Sequence, residues 1–164
     1  MDKRQEWLNK LGELRQNNSL PVDIEKILLQ AVIDWFEYFQ WDEDREKMTM
    51  LYSKLIVEEM EEIYNAWYDK DIIGLIDGYI DQFWVMLWYD YFAGQKIEEN
   101  YIEEYRQKKD IPYELFYRWL IEVAYSNWTK SREKIQDWEK KGKIIKGKDF
   151  VKPDWDFVFN KLTK

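Results

Sequence analysis

Acidic residues inside an apolar stretch are the feature of this sequence most able to do chemistry. The run at residues 58–62 reads EEMEE. With about 100° per residue in a helix, Glu58, Glu59 and Glu62 share the face of the neighbouring apolar residues, whereas Glu61 points to the other side. Burying an unpaired carboxylate costs several kcal/mol. We therefore expect these side chains to bind a cation.

A second acidic run, DGYID at residues 77–81, follows in another apolar stretch. Its aspartates, Asp77 and Asp81, are one helical turn apart and in line with Trp84 and Trp88. Either run alone would be typical of a solvated helix face. Two such helices packed antiparallel would instead direct four or five carboxylates toward one another. Hard divalent cations such as Mg²⁺ and Mn²⁺ prefer oxygen ligands, so the two runs together predict a metal site with room for a phosphate substrate.

The composition excludes several other kinds of site. The 164-residue chain has no Cys and no His, which rules out disulfides, Cys/His zinc sites and Ser-His-Asp triads. A general base must then be a carboxylate, a lysine or a tyrosine. The net charge of −8 argues against nucleic acid as a partner. An aromatic share of 18% is high, and we expect some of these rings to line a ligand pocket or a subunit interface.

Neither a leader nor a membrane-spanning segment is expected from the sequence. Residues 1–16 lack an apolar core and a cleavage signal, and no stretch approaches about eighteen uncharged apolar residues. We expect a soluble, cytoplasmic protein without a membrane partner. The Lys-, Ile- and Asn-rich composition is typical of an AT-rich genome, as in a phage or its bacterial host.

Helical periodicity runs through most of the chain, which contains only three prolines and six glycines. It predicts one all-α domain over residues 1–164, a bundle with a four-helix core at about 20–136 and flanking helices. The predicted helices cover about 3–16, from Pro21 onward, 44–68, 72–93 and 112–136.

Three segments between and after these helices have their own predictions. Gly94 is expected to adopt the left-handed conformation that ends a helix. The charged segment 97–109 is assigned to no element. Residues 138–164 are predicted to form an ordered but irregular arm, with a possible hairpin between Gly142 and Gly147.

Ordered motifs along the chain resemble those of a known superfamily. Residues 55–63 (LIVEEMEEI) look like L-x-x-E-E-x-x-E-L, and residues 77–85 (DGYIDQFWV) resemble D-G-x-x-D-x-x-Y-V. Residues 124–130 (AYSNWTK) are similar to S-N-x-S-K, and residues 143–154 (KIIKGKDFVKPD) resemble G-K-x-x-K-G-x-x-[FY]-x-x-P-D. These are motifs of the all-α nucleoside triphosphate pyrophosphohydrolases, in the MazG-like, phosphoribosyl-ATP pyrophosphohydrolase-like branch often found in phages.

The resemblance implies a fold, an activity and a cofactor. It implies a helical bundle that forms a homodimer or a dimer of dimers and uses Mg²⁺ to split a nucleoside or deoxynucleoside triphosphate into the monophosphate and pyrophosphate. The chain departs from the pattern in that many members carry E-x-x-D, whereas here position 78 is glycine and the acid is Asp77. In the downstream motif Thr129 replaces serine and Trp128 replaces a smaller residue, which leaves the nucleotide preference open.

Spacing and resemblance together assign roles to the acidic side chains. Glu59, Glu62 and Asp81 are the predicted main metal ligands, and Asp77 is a further ligand. Glu58, at the edge of the same face, is the candidate that orients or deprotonates the attacking water.

Other side chains are candidates for contacts with the nucleotide. Asn127 and Lys130 lie three residues apart on the last predicted helix and can reach one phosphate, with help from Lys54 or Lys146. Base stacking is assigned to an aromatic ring, with Trp84 and Trp88 among the candidates. A helical module that binds a nucleotide, a metal or a partner without catalysis stays open as the alternative function.

Overall fold

The computed structural model describes residues 1–40, 44–133 and 143–163. Its regular elements are α-helices: α1 (Lys3–Gln16), α2 (Ile24–Gln40), α3 (Arg45–Tyr68), α4 (Ile72–Phe92), α5 (Tyr101–Lys109), α6 (Tyr113–Trp128) and α7 (Trp155–Leu162). The predicted all-α class is confirmed. Across the described ranges, no helix combines the length and the apolar character that crossing a bilayer requires.

Aspartate caps explain why three of the helices begin where they do. Asp2 accepts a hydrogen bond from the backbone N of Arg4 at 2.7 Å, which satisfies one of the free N–H groups at the start of α1. Asp44 starts α3 and Asp71 starts α4 in the same way, through side-chain bonds to backbone N–H groups of the first turn. Caps of this kind are visible in sequence, so the predicted starts of these helices are confirmed to within a residue.

The contacts of the chain divide it into two compact units. The five-helix unit contains α1, α2, α5, α6 and α7, and α6 lies at its centre, packed against α1, α2 and α7. Phe116, Trp119 and Leu120 on α6 are fully buried. In this core the indole N–H of Trp35 donates to the carbonyl of Asn127 at 2.9 Å, and that of Trp128 donates to the carbonyl of Ala31 at 3.2 Å.

The second unit is a helical hairpin formed by α3 and α4. The two helices are joined by residues 69–71, so they run antiparallel as neighbours. Lys70 at the turn has φ +57°, the left-handed conformation that reverses the chain direction. After α4, Gly94 has φ +83°, which confirms the predicted glycine cap.

Three segments differ from the sequence predictions. The unassigned charged segment contains α5, and α6 ends at Trp128 instead of continuing to about 136. Thr129 explains that end, because its hydroxyl donates to the carbonyl of Ser126 at 2.6 Å and accepts from the backbone N of Val151 at 2.9 Å. The returning chain thus takes the place of a further helical turn.

The C-terminal segment is irregular from residue 143 to 154 and then forms α7, a helix that the sequence prediction did not include. Asp154 caps this helix by accepting from the backbone N of Phe157 at 3.0 Å, and Trp155 stacks on Trp119 of α6 with ring centroids 4.1 Å apart. The predicted hairpin falls partly outside the described residues, because Gly142 is not among them. Ile145, inside that segment, accepts a hydrogen bond from the backbone N of Ser131 at 3.1 Å.

Candidate metal centre

Three predicted ligands converge within the helical hairpin. Glu59 and Glu62 are three residues apart on α3, and Asp81 lies on the antiparallel neighbour α4. One carboxylate oxygen from each lies within 4.8 Å of the others. Two oxygens on opposite sides of one Mg²⁺ are separated by about 4.2 Å, twice the usual Mg–O distance. Small side-chain rotations therefore suffice for the three residues to share a cation.

Glu59 is the inner member of this triad. Glu59 and Asp81 are half-buried, whereas Glu62 is exposed. Glu59 Oε2 has no solvent exposure and, among the described residues, no hydrogen-bond partner. A buried carboxylate oxygen in this situation is satisfied by a proton or by a cation.

Burial also changes the protonation of Glu59. The pKa of its carboxyl is raised from 4.5 to about 9, first because burial disfavours the charge, then because Asp81 and Glu62 repel it, and further because the protonated carboxyl is hydrogen-bonded to Glu62. Asp77 adds a smaller repulsion that also raises this pKa. Without a cation the site therefore keeps a proton on Glu59 at neutral pH, and a bound cation would take the place of that proton.

Gly78 lets the two helices approach each other beside the triad. A Cβ atom at this position would lie 2.7 Å from Cγ1 of Ile63 on α3, closer than side-chain carbons pack. A glutamate, as in the E-x-x-D pattern, has no space here. The acid at Asp77, one position earlier, is half-buried beside this contact.

Glu58 lies outside the triad and has a basic neighbour instead. Its Oε2 is 3.9 Å from Nζ of Lys143, and both side chains are partly exposed. Lys143 belongs to the same compact unit as the hairpin. The last sequence motif contains Lys143, but the sequence prediction named Lys146 for contact with the phosphate. No local pattern reveals that Lys143 contacts Glu58, which is 85 positions away in sequence.

The remaining candidates on the hairpin differ in their exposure to solvent. Lys54 is exposed. It lies on the same face of α3 as Glu61, the face that points away from the apolar stripe. Trp84 and Trp88 are buried in the core, 5% and 0% exposed. Their predicted role in base stacking stays a prediction.

Asn127, Lys130 and Lys146 belong to the five-helix unit. Asn127 is buried at the end of α6. Lys130 is half-buried and lines a cleft of about 360 Å³. Lys146 is exposed, with its Nζ 5.1 Å from the ring centroid of Phe150. Their roles toward a nucleotide also stay predictions.

No family model, curated protein or solved structure matches the chain. The resemblance to the all-α pyrophosphohydrolases therefore rests on the motifs alone.

Proposed function

We propose that this protein hydrolyses a nucleoside or deoxynucleoside triphosphate to the monophosphate and pyrophosphate, with Mg²⁺ or Mn²⁺ as cofactor. The main support is the convergence of Glu59, Glu62 and Asp81 around a buried Glu59 oxygen that lacks a hydrogen-bond partner in the described chain. An all-oxygen donor set of this kind fits a hard divalent cation. The motifs supply the substrate class.

The carboxylates of the triad would hold the cation, with Asp77 beside them. When bound, the cation would neutralise the charge that the triphosphate carries in the transition state of phosphoryl transfer. Because two ligands lie on α3 and the third on α4, the hairpin itself sets the ligand positions.

Glu58 is suited to act on the attacking water. Its side chain is 39% exposed, so water reaches it, and the ammonium group of Lys143 3.9 Å away restrains its orientation. The carboxylate would accept the water's proton as the new P–O bond forms, and the bond to the pyrophosphate leaving group breaks. Glu58 is then the general base, and Lys143 a positioning residue.

The test is pyrophosphate release by the purified protein from each nucleoside triphosphate with Mg²⁺ or Mn²⁺. Glu59→Gln and Asp81→Asn should each reduce release by about a hundredfold or more while the circular dichroism spectrum is preserved. Glu98→Gln is the matched control, because this exposed glutamate on the same unit is remote from the triad in sequence. Folded, metal-loaded protein that leaves every triphosphate intact would overturn the proposal.

A non-catalytic module that binds a nucleotide or a metal is the second candidate. The observation that favours it is the tight packing at Gly78, which excludes a glutamate at that position. In the run 77–81, the acid that accompanies Asp81 is therefore Asp77, whose side chain is shorter than that of a glutamate. Thermal stabilisation by a triphosphate and Mg²⁺ together, without product formation, would select this function.

A further inference from the structure

A polar cleft lies where α6 ends, and we call it the α6 cleft. Its described lining comes from Arg4 of α1, from residues 129–131 and 133 after α6, and from residues 147–149 of the returning chain. All of them belong to the five-helix unit, so the cleft shares no residue with the metal triad. Its volume of about 360 Å³ lies near the lower end of the range of about 300–1,000 Å³ that is usual for small-molecule sites.

Backbone contacts hold the walls of the α6 cleft together. The backbone N of Ser131 donates to the carbonyl of Ile145 at 3.1 Å, and the backbone N of Ile145 donates to the carbonyl of Glu133 at 3.3 Å. Gly147 packs directly on Ser131, since a Cβ atom at Gly147 would lie 2.9 Å from Cβ of Ser131. The two segments are thus held in one register, which preforms the cleft.

Arg4 is fixed at one side of the cleft and keeps hydrogen-bond donors for a ligand. Its Nε donates to the carbonyl of Trp128 at 3.0 Å, and its Nη2 donates to the carbonyl of Thr129 at 3.4 Å. These bonds orient the guanidinium and offset the partial negative charge at the end of α6. A guanidinium has five N–H groups, so three of them have no acceptor within the described part of the chain.

Ser131 and Lys148 provide further donors. The hydroxyl of Ser131 accepts a hydrogen bond from the backbone N of Glu133 at 3.1 Å, which leaves its own hydrogen to donate. Lys148 is exposed at the rim of the cleft. Lys130, predicted from sequence to contact a phosphate, lines the cleft as well. Together with Arg4, these N–H and O–H groups are donors of the kind that bind a phosphate.

The α6 cleft is positive within an acidic chain. Its lining carries three cations, on Arg4, Lys130 and Lys148, and two carboxylates, on Glu133 and Asp149, whereas the whole chain has a net charge of −8. A local excess of cations attracts an anionic group. The carboxylates accept hydrogen bonds, which hydroxyl groups of a ligand can donate. The lining therefore favours a ligand that combines an anionic group with hydroxyl groups.

A nucleobase does not match this cleft. The described residues that line it are charged, hydroxyl-bearing or glycine, and none of them has an aromatic or large apolar side chain. Proteins bind bases by stacking them on aromatic rings or apolar surfaces. A phosphate attached to a polyol, by contrast, matches both the donors and the acceptors of the cleft.

We propose that the α6 cleft binds a small sugar phosphate. Arg4, Ser131 and Lys148 hold its phosphate group. Glu133 and Asp149 accept hydrogen bonds from its sugar hydroxyls. The proposal does not depend on the proposed function, because no residue of the metal triad takes part and no metal is required.

The first test is isothermal titration calorimetry of the full chain in EDTA with ribose-5-phosphate and with glucose-6-phosphate. At least one of them should bind about tenfold or more tightly than inorganic phosphate, because sugar hydroxyls add hydrogen bonds to the carboxylates. Unphosphorylated ribose and glucose should not bind. Absence of binding by both sugar phosphates up to about 10 mM would overturn the proposal. Tighter binding of adenosine monophosphate than of ribose-5-phosphate would also overturn it and would assign the cleft to a nucleotide.

Two variants then separate the phosphate contacts from the sugar contacts. Lys148→Gln should weaken binding of the sugar phosphate and of inorganic phosphate by about tenfold, since a charge-assisted hydrogen bond is lost. Asp149→Ala should weaken binding of the sugar phosphate alone, because it removes an acceptor for a hydroxyl and a charge that repels phosphate. Lys152→Gln is the matched control, an exposed lysine of the same segment outside the described lining, and should change neither affinity. Unchanged affinities in Lys148→Gln would exclude this cleft as the site.

Discussion

At the scale of single residues, Glu59 determines how the candidate metal centre responds to pH. Its Oε2 is buried without a hydrogen-bond partner among the described residues, and burial with nearby acids raises its pKa to about 9. The same side chain is thus a proton site in the absence of a cation and a candidate ligand in its presence.

This leads to a prediction about stability in metal-free buffer. The folded state holds a proton on Glu59 between pH 4.5 and about 9, whereas the unfolded chain releases it near 4.5. The unfolded state therefore binds fewer protons in that window, and the free energy of unfolding should fall as the pH rises through it. Melting temperatures should show this decline in the wild type and a shallower one in Glu59→Gln. Equal slopes would contradict the raised pKa.

A second residue-scale prediction concerns two helical glycines. Gly78→Ala places a methyl group 2.7 Å from Cγ1 of Ile63, so it should destabilise the protein by about 1 kcal/mol despite alanine's better helix propensity. At Gly12 in α1 the nearest atom to an added Cβ is 3.9 Å away. Gly12→Ala should therefore stabilise by about 0.5–1 kcal/mol. Urea unfolding of the two variants measures the contrast, and equal effects would argue against close packing at Gly78.

At the scale of helices, one buried ion pair connects α1 to α6 and to the start of α7. Arg15 Nε is 2.6 Å from Glu122 Oε2, and Glu122 is 2% exposed. The backbone N of Asp154 donates to Glu122 Oε1 at 2.9 Å, just before α7 begins. The C-terminal helix is thus attached to the core by this carboxylate as well as by Trp155.

Removing one partner of this pair should cost more than removing both. Arg15→Met leaves the Glu122 charge buried and should destabilise the five-helix unit by about 3 kcal/mol. Arg15→Met combined with Glu122→Met should be less destabilised than Arg15→Met alone, because no charge stays uncompensated. A double-mutant cycle in urea measures this coupling. Simple additivity would mean that the pair contributes no coupling energy.

At the scale of the whole molecule, cation binding should be visible as stability. A divalent cation that binds only the folded chain adds about 2.7 kcal/mol at a concentration one hundred times its Kd. Mg²⁺ or Mn²⁺ should therefore raise the melting temperature, and more so at higher pH, where the proton on Glu59 competes less. Asp81→Asn should abolish most of the shift. A shift preserved in that variant would place the bound cation elsewhere.

Much of the architecture follows from local sequence. The bounds of α1 and the starts of α3 and α4 are predictable because aspartate caps, helical periodicity and glycine act within a few residues. The short charged helix α5 has no apolar periodicity long enough to be recognised. The helix α7 has a local cap in Asp154, but the ring on which Trp155 stacks belongs to Trp119, which is 36 residues away in sequence.

The sequence by itself determined the helical class, the two acidic runs and the exclusion of Cys and His chemistry, since these depend on composition and on spacing within one helix. Only the tertiary structure decided that Glu59, Glu62 and Asp81 converge, that the ammonium group of Lys143 lies beside Glu58, and that Gly78 has no space for a side chain. Those facts depend on how α3 and α4 pack and where the distant chain returns. Packing of that kind is a property of many residues together, so no local pattern records it.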